Sequence, residues 1–261
     1  VQNLFSFALE ALEESTEKTK PMCILATGGY GRGELSPHSD IDLMFLYPPS
    51  SMGKPLEFLK ETMTREILYP LWDSGLKVGH ASRDVKEAIS EAQNDIRNKN
   101  SMLDARYLCG DRKVAGKFIS RFLKFCRSNQ PAKYLEELHS HQEERRAEKG
   151  DTVFLQAPDV KNGVGGLRDY QGILWMAKVK FGDKGLEDLV SRKYLSAQEA
   201  KSFEDAYSFL LRVRNELHFR SKRPVDILHL EKQPEVALGL GYEEEDIFRR
   251  VESFMGDYYS E

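Results

Sequence analysis

Hydrophobic positions along the chain change their period near residue 110, from short mixed segments before it to helix-spaced stripes after it. Leu4, Phe5, Ala8, Leu9 and Leu12 recur at three and four residues and predict a helix over 2–14, which Lys18 to Pro21 break. Ile24, Leu25 and Ala26 form an apolar run that ends in Gly28-Gly29, and a second run from Ile41 to Tyr47 stops at Pro48-Pro49. These read as strands joined by a polar glycine-rich loop, with another loop over 50–54. Leu56, Leu59, Met63, Ile67 and Leu71 then mark one stripe of a helix ending near Trp72 to Gly75. Leu76 to Ser82 predicts a third strand and Val85 to Ile96 a further helix, while Met102 to Cys109 is a short apolar piece of unassigned state.

Beyond Gly110-Asp111 the pattern is helix after helix. Val114, Phe118, Phe122 and Phe125 form one stripe, and Tyr134 to Glu148 is a charged, solvated helix. Phe203, Ala206, Leu210, Val213 and Leu217 form another stripe, and Ile247, Val251, Phe254 and Tyr258 close the chain. Stripes at this spacing bury as core. The expectation is an α+β domain over 1–110, with a mixed sheet and flanking helices, followed by an α-helical domain over 111–261.

Composition narrows the class without naming it. A chain of 261 residues, 40% hydrophobic and 31% charged, reads as soluble and globular, with no membrane span. The formal net charge of −4 provides no global field for nucleic acid, so a polynucleotide substrate is disfavoured. The 3 cysteines, Cys23, Cys109 and Cys126, sit in apolar surroundings and read as buried free thiols of a cytoplasmic protein. No signal peptide is visible, and the start at Val1 without a Met reads as a segment of something longer.

The chemistry concentrates in ILATGGYGRGELSPHSDIDLMFLY, residues 24 to 47. In an extended strand Asp40 and Asp42 point to one face and Ile41 and Leu43 to the other. Two convergent carboxylates repel unless a cation sits between them, and such hard oxygen ligands suit Mg²⁺ or Mn²⁺ with positions left for phosphate oxygens. The Gly28-Gly29 pair lacks Cβ atoms, so its backbone N–H groups can approach an anion, and Arg32 adds a permanent positive charge. That combination suits nucleotidyl transfer.

A second irregular stretch, Ala157 to Asp169, carries Pro158, Gly163, Gly165 and Gly166 and demands a loop. Asp169 is a candidate cap for the helix that runs through Trp175. Lys161 and Arg168 have two readings: residues of a helix connection, or cations facing the metal site to hold phosphate or the target.

Taken together, these residues resemble the bacterial PII uridylyltransferase/uridylyl-removing enzyme family, within the DNA polymerase β-like nucleotidyltransferase superfamily. The superfamily pattern is met by Gly28-Gly29, ten residues, and Asp40/Asp42. Narrower matches are GGYGRGELSPHSDIDL (28 to 43), LWDSGLKVGHASR (71 to 83), LDARYLCGD (103 to 111) and KNGVGGLRDYQGILW (161 to 175), with LRVRNELHFRSKRPVDIL (211 to 228) looser. The resemblance implies transfer of UMP from UTP to a tyrosine of a small trimeric PII signalling protein, in nitrogen regulation. By position, Gly28 and Gly29 would hold the triphosphate and Asp40 and Asp42 the metals, with Arg32, Ser39 and Arg168 as further contacts.

Two departures accompany it. The superfamily usually has a third carboxylate on a neighbouring strand, and here the third strand reads Val78-Gly79-His80. Asp104 in LDAR is the candidate, expected to help position the metal that activates the attacking hydroxyl, with Asp73 and Asp84 behind it. His80 reads as a hydrogen-bonded sheet histidine rather than a base. Full-length family members continue into HD phosphohydrolase and ACT domains. This sequence has no His-Asp dipeptide, and His139-x-His141 does not share a helix face. The uridylyl-removing and glutamine-sensing regions are therefore expected to lie outside this chain. Two other readings remain: a nucleotidyltransferase using ATP or another protein or small-molecule acceptor, and a degenerate domain that binds nucleotide and regulates.

Overall fold

The computed structural model describes residues 1–13, 21–48, 54–129, 131–149, 155–182 and 185–260. The chain forms two compact units, one of Val1–Leu35 and Ser39–Asn129, the other of Ser36–His38 and Gln130–Glu261. The expected loop over 50–54 and the break at Lys18 to Lys20 lie mainly outside the described residues.

The first unit is built on a four-stranded sheet in the order β3-β2-β1-β4, where β1 is Cys23–Ala26, β2 Ile41–Leu46, β3 Val78–Arg83 and β4 Arg106–Gly110. β1 pairs antiparallel with β2 and β4, and β2 pairs parallel with β3, so the sheet is mixed as expected. Alternation along β2 sends Leu43, Phe45 and Tyr47 to one face. There they join Phe5 and Ala8 of α1 (Gln2–Glu13), and Leu56, Leu59, Met63, Ile67 and Leu71, in one core. The expected single helix is present as α3 (Lys54–Met63), a π-helical turn (Thr64–Leu68) and α4 (Tyr69–Asp73). Pro70 explains the turn: it has no N–H to donate back four residues, and the widened turn takes up the misfit.

Two elements differ from the sequence expectation, and one left open there is assigned. The glycine-rich loop begins with a short helix, α2 (Gly28–Arg32), entered through extended Thr27 and ended by Gly33 in the left-handed region at φ 80. The predicted helix over 85–96 is α5 (Val85–Asn94), because Asp95 turns extended and its side chain accepts from Arg97 N at 2.7 Å to start α6 (Ile96–Leu103). The unassigned piece over 102–109 is the end of α6 followed by β4.

The units divide after Asn129, whereas the expected boundary was near 110. The cause is α7 (Arg112–Ser128), whose Phe118 and Phe122 are buried and which packs against β1, β4 and α5.

The second unit is helical: α8 (Pro131–Lys149), α9 (Leu167–Lys180), α10 (Leu186–Ser191), α11 (Ala197–Ser221), α12 (Gln233–Gly239) and α13 (Ile247–Ser260). Its core joins Leu210, Val213 and Leu217 of α11 to Val160, Leu167, Leu228, Val236 and Phe254. Phe203 and Ile247, expected in these stripes, are exposed. α8 is largely exposed, with Tyr134 and Leu138 buried. Among the described residues no helix is long and apolar enough to cross a membrane.

Candidate active site

The candidate site forms where β1 turns into α2 beside the start of β2. Thr27 N donates to Asp42 O at 3.0 Å, which fixes the end of β1 against the second residue of β2. Asp42 pairs in register with Gly79 on β3. A Cβ on Gly79 would lie 2.7 Å from Asp42 Oδ1, and a Cβ on Gly28 would lie 3.1 Å from Oδ2. The half-buried carboxylate therefore sits in a cradle that two glycines leave open, and Gly28 also needs the freedom to adopt φ 53. A side chain at position 79 of the third strand would meet the Asp42 carboxylate, and the glycine there leaves it room.

Asp40 precedes the first residue of β2 and is exposed. Between the two acids' strand and the glycine turn, Ser39 Oγ is buried with no hydrogen-bond partner among the described residues. A buried hydroxyl in that state costs free energy, and a bound polar ligand would recover it. Among the described residues no group of three or more His, Cys, Asp or Glu is gathered to hold a metal ion. The pair Asp40/Asp42 nonetheless fits Mg²⁺ or Mn²⁺, which take one or two carboxylates and complete their shell with phosphate oxygens and water.

Arg32 and Asp104 are brought together: Arg32 Nη1 donates to Asp104 Oδ2 at 2.5 Å and Nε to Glu34 Oε2 at 2.7 Å. Asp104 ends α6 and is buried. The two reserve acids lie elsewhere, Asp84 as the N-cap of α5 in a capping box and Asp73 exposed at the end of α4. His80 is exposed on edge strand β3, with its ring edge-on to Trp72.

The second unit holds the other expected contacts. Arg168 Nη1 donates to Gln171 Oε1 at 2.9 Å, and its guanidinium lies 5.7 Å from the Trp175 ring centroid. Gly166, not Asp169, is the N-cap of α9. Asp169 stands in the first turn, pairs with Arg145 and accepts from Gly165 N at 2.9 Å. Lys161 Nζ lies 3.5 Å from Asp226 Oδ2.

Asp226 is the centre of a network that the sequence did not reveal. Arg214 Nε donates to it at 2.7 Å, His218 Nε2 lies 3.4 Å from it, Arg214 Nη1 reaches Ser36 Oγ at 2.9 Å, and His218 Nδ1 meets the Pro37 carbonyl. Burial pushes the Asp226 carboxyl up, but hydrogen bonding to His218 and Arg214 and the charges of Arg214 and Lys161 outweigh it and hold it far below the usual range. Burial pulls the Lys161 ammonium down, and Asp226 opposes this only in part. The signal available was the Asp226 of the loosest motif, 211 to 228, whose partners are dispersed over the chain.

The mixed sheet with flanking helices gives the fold class, an α+β nucleotidyltransferase fold. Residues 133–261 match the family model described as GlnD PII-uridylyltransferase. The chain is 37% identical over 261 residues to the bifunctional uridylyltransferase/uridylyl-removing enzyme of Rhodospirillum rubrum, covering 99% of this chain and 27% of that protein. It is 39% identical over 238 residues to the protein of the same description from Bradyrhizobium sp. BTAi1, covering 91% of this chain and 25% of that protein. The Caulobacter vibrioides protein of that description is 37% identical over the same length. Residues 133–261 carry a domain of the PII-uridylyltransferase family, and the chain spans about a quarter of the length of the curated relatives it matches.

Proposed function

We propose that the protein transfers UMP from UTP to a tyrosine hydroxyl of a PII-type signalling protein, with Mg²⁺ or Mn²⁺ as cofactor. The observation that carries this reading is the Asp42 carboxylate seated between Gly28 and Gly79, two residues from Asp40. Asp40 and Asp42 would hold the cation. Bound there, it would polarise the α-phosphate and neutralise the pyrophosphate that leaves.

The chain's own residues supply position and charge. The Gly28 and Gly29 backbone admits the phosphate chain without a Cβ in the way, Arg32 meets its negative charge, and Ser39 Oγ gains the hydrogen bond it lacks. In the reaction the tyrosine oxygen bonds to the α-phosphorus, the bond from that phosphorus to the β-bridging oxygen breaks, and pyrophosphate departs while the hydroxyl proton passes to solvent. Holding both reactants in line and meeting the developing charge are what such a site contributes.

The test is purified protein with UTP, Mg²⁺ and a PII-type acceptor, read as pyrophosphate release and as a uridylyl mass increment on an acceptor tyrosine. Asp40→Asn and Asp42→Asn abolish both signals while circular dichroism stays native. Transfer that survives both substitutions, or ATP outperforming UTP, overturns the proposal.

A further inference from the structure

The segment Asp104-Ala105-Arg106 grips α2 at three points within the first unit. Asp104 takes Arg32 Nη1 at 2.5 Å in an ion pair whose side chains are 13% and 2% exposed. Arg106 donates from Nε to the Gly31 carbonyl at 3.0 Å and from Nη2 to the Tyr30 carbonyl at 2.8 Å, so it satisfies acceptors at the C-terminal end of α2. Gly31 makes the close approach possible, since a Cβ there would lie 2.1 Å from Asp104 O.

The geometry around Arg32 is directional. Glu34 holds Nε and Asp104 holds Nη1, while Nη2 lies beside Gly29, where a Cβ would be 3.8 Å from it. A guanidinium held at Nε and Nη1 keeps one orientation, so its charge has a fixed direction toward a phosphate. Turning Asp104 toward a cation would break a largely buried ion pair and release the guanidinium at Nη1, where Glu34 at Nε would no longer suffice to fix its orientation.

We infer that Asp104 and Arg106 are positioning residues for the nucleotide's phosphate chain, and that Asp104 acts through Arg32 rather than as a third metal ligand. This rests on the nucleotidyl-transfer reading above. Arg106 sets the pose of α2, Asp104 sets the guanidinium, and the Gly28-Gly29 backbone and Arg32 then meet the same anion.

The test measures binding of Mn²⁺ alone by electron paramagnetic resonance, and of a non-hydrolysable UTP analogue with Mn²⁺ by calorimetry. Asp104→Ala and Arg32→Ala each weaken the analogue about tenfold, and the double variant is no weaker than Arg32→Ala, as expected of residues acting as one unit. Asp104→Asn weakens it only about threefold, because its amide oxygen still accepts from the guanidinium. Arg106→Lys also weakens the analogue, and Mn²⁺ affinity stays at the wild-type value in all of these variants. Loss of Mn²⁺ binding in Asp104→Asn, to the extent seen in Asp42→Asn, overturns the inference and makes Asp104 a metal ligand. Additive losses in the double variant overturn it as well. Should Asp104→Ala not fold, the Mn²⁺ affinity of Asp104→Asn decides. A wild-type protein that binds no analogue removes the parent reading, an outcome distinct from either.

Discussion

Gly79 stands beside Asp42 in the parallel register of β2 and β3, and the Asp42 carboxylate occupies the space where a Gly79 side chain would project, 2.7 Å from the position of its Cβ. A residue on an exposed edge strand is thereby tied to the orientation of the central acid.

Gly79→Ala is expected to displace the Asp42 carboxylate without unfolding the sheet, because β3 is an edge strand and its position 79 is exposed. Misplacement of a catalytic group by about an ångström costs on the order of a hundredfold in rate. Mn²⁺ affinity and the rate of pyrophosphate release should fall together while the melting temperature changes little.

Gly31 and Gly33 separate packing from backbone freedom. At Gly31 a Cβ would lie 2.1 Å from Asp104 O, whereas at Gly33 it would meet nothing within 4 Å, and only the left-handed φ of 80 is at issue. Gly33→Ala should cost about 1–2 kcal/mol, the price of that conformation for an L-residue. Gly31→Ala should cost more, because α2 must lift from α6. Urea denaturation of both variants checks the order.

Asp226 sets an acid limit for the second unit. Its carboxyl is held below the usual range, so its stabilisation is fully present above the unfolded value of about 3.9 and is lost as pH falls below it toward the lowered folded value. In Asp226→Asn the pH dependence of stability below about pH 4 should flatten. Asp226→Ala, which leaves Lys161, Arg214 and His218 without their acid, should cost about 2–3 kcal/mol, under the about 3–5 for a fully buried pair.

Burial pushes the Cys23 thiol up to about 12, and those of Cys109 and Cys126 up to about 11. All three are free and buried. Since the thiolate is the reactive form, native protein at pH 8 should resist maleimide and all three should label in denaturant, as mass spectrometry would show.

Much of this molecule was legible along the chain because its signals are local. The stripe Leu56, Leu59, Met63, Ile67 and Leu71 needs only helical periodicity to be read, and all five side chains are buried. The alternation in β2 put Leu43 on the face opposite Asp42, and Leu43 is buried. Other features depended on partners distant in sequence. β4 is a strand because β1 offers it an edge, and residues 112–128 stay with the first unit because Phe118 and Phe122 bury there.

The amino-acid order by itself determined the local periods and the spacing of the glycine pair and the D-x-D acids, each a matter of neighbours a few residues apart. Tertiary structure alone decided that Gly79 makes room for Asp42, that Asp104 belongs to Arg32, and that Arg214, His218 and Lys161 converge on Asp226. Those pairings join residues between 8 and 72 positions apart, and distance along the chain carries no record of which charges will meet once the core has closed.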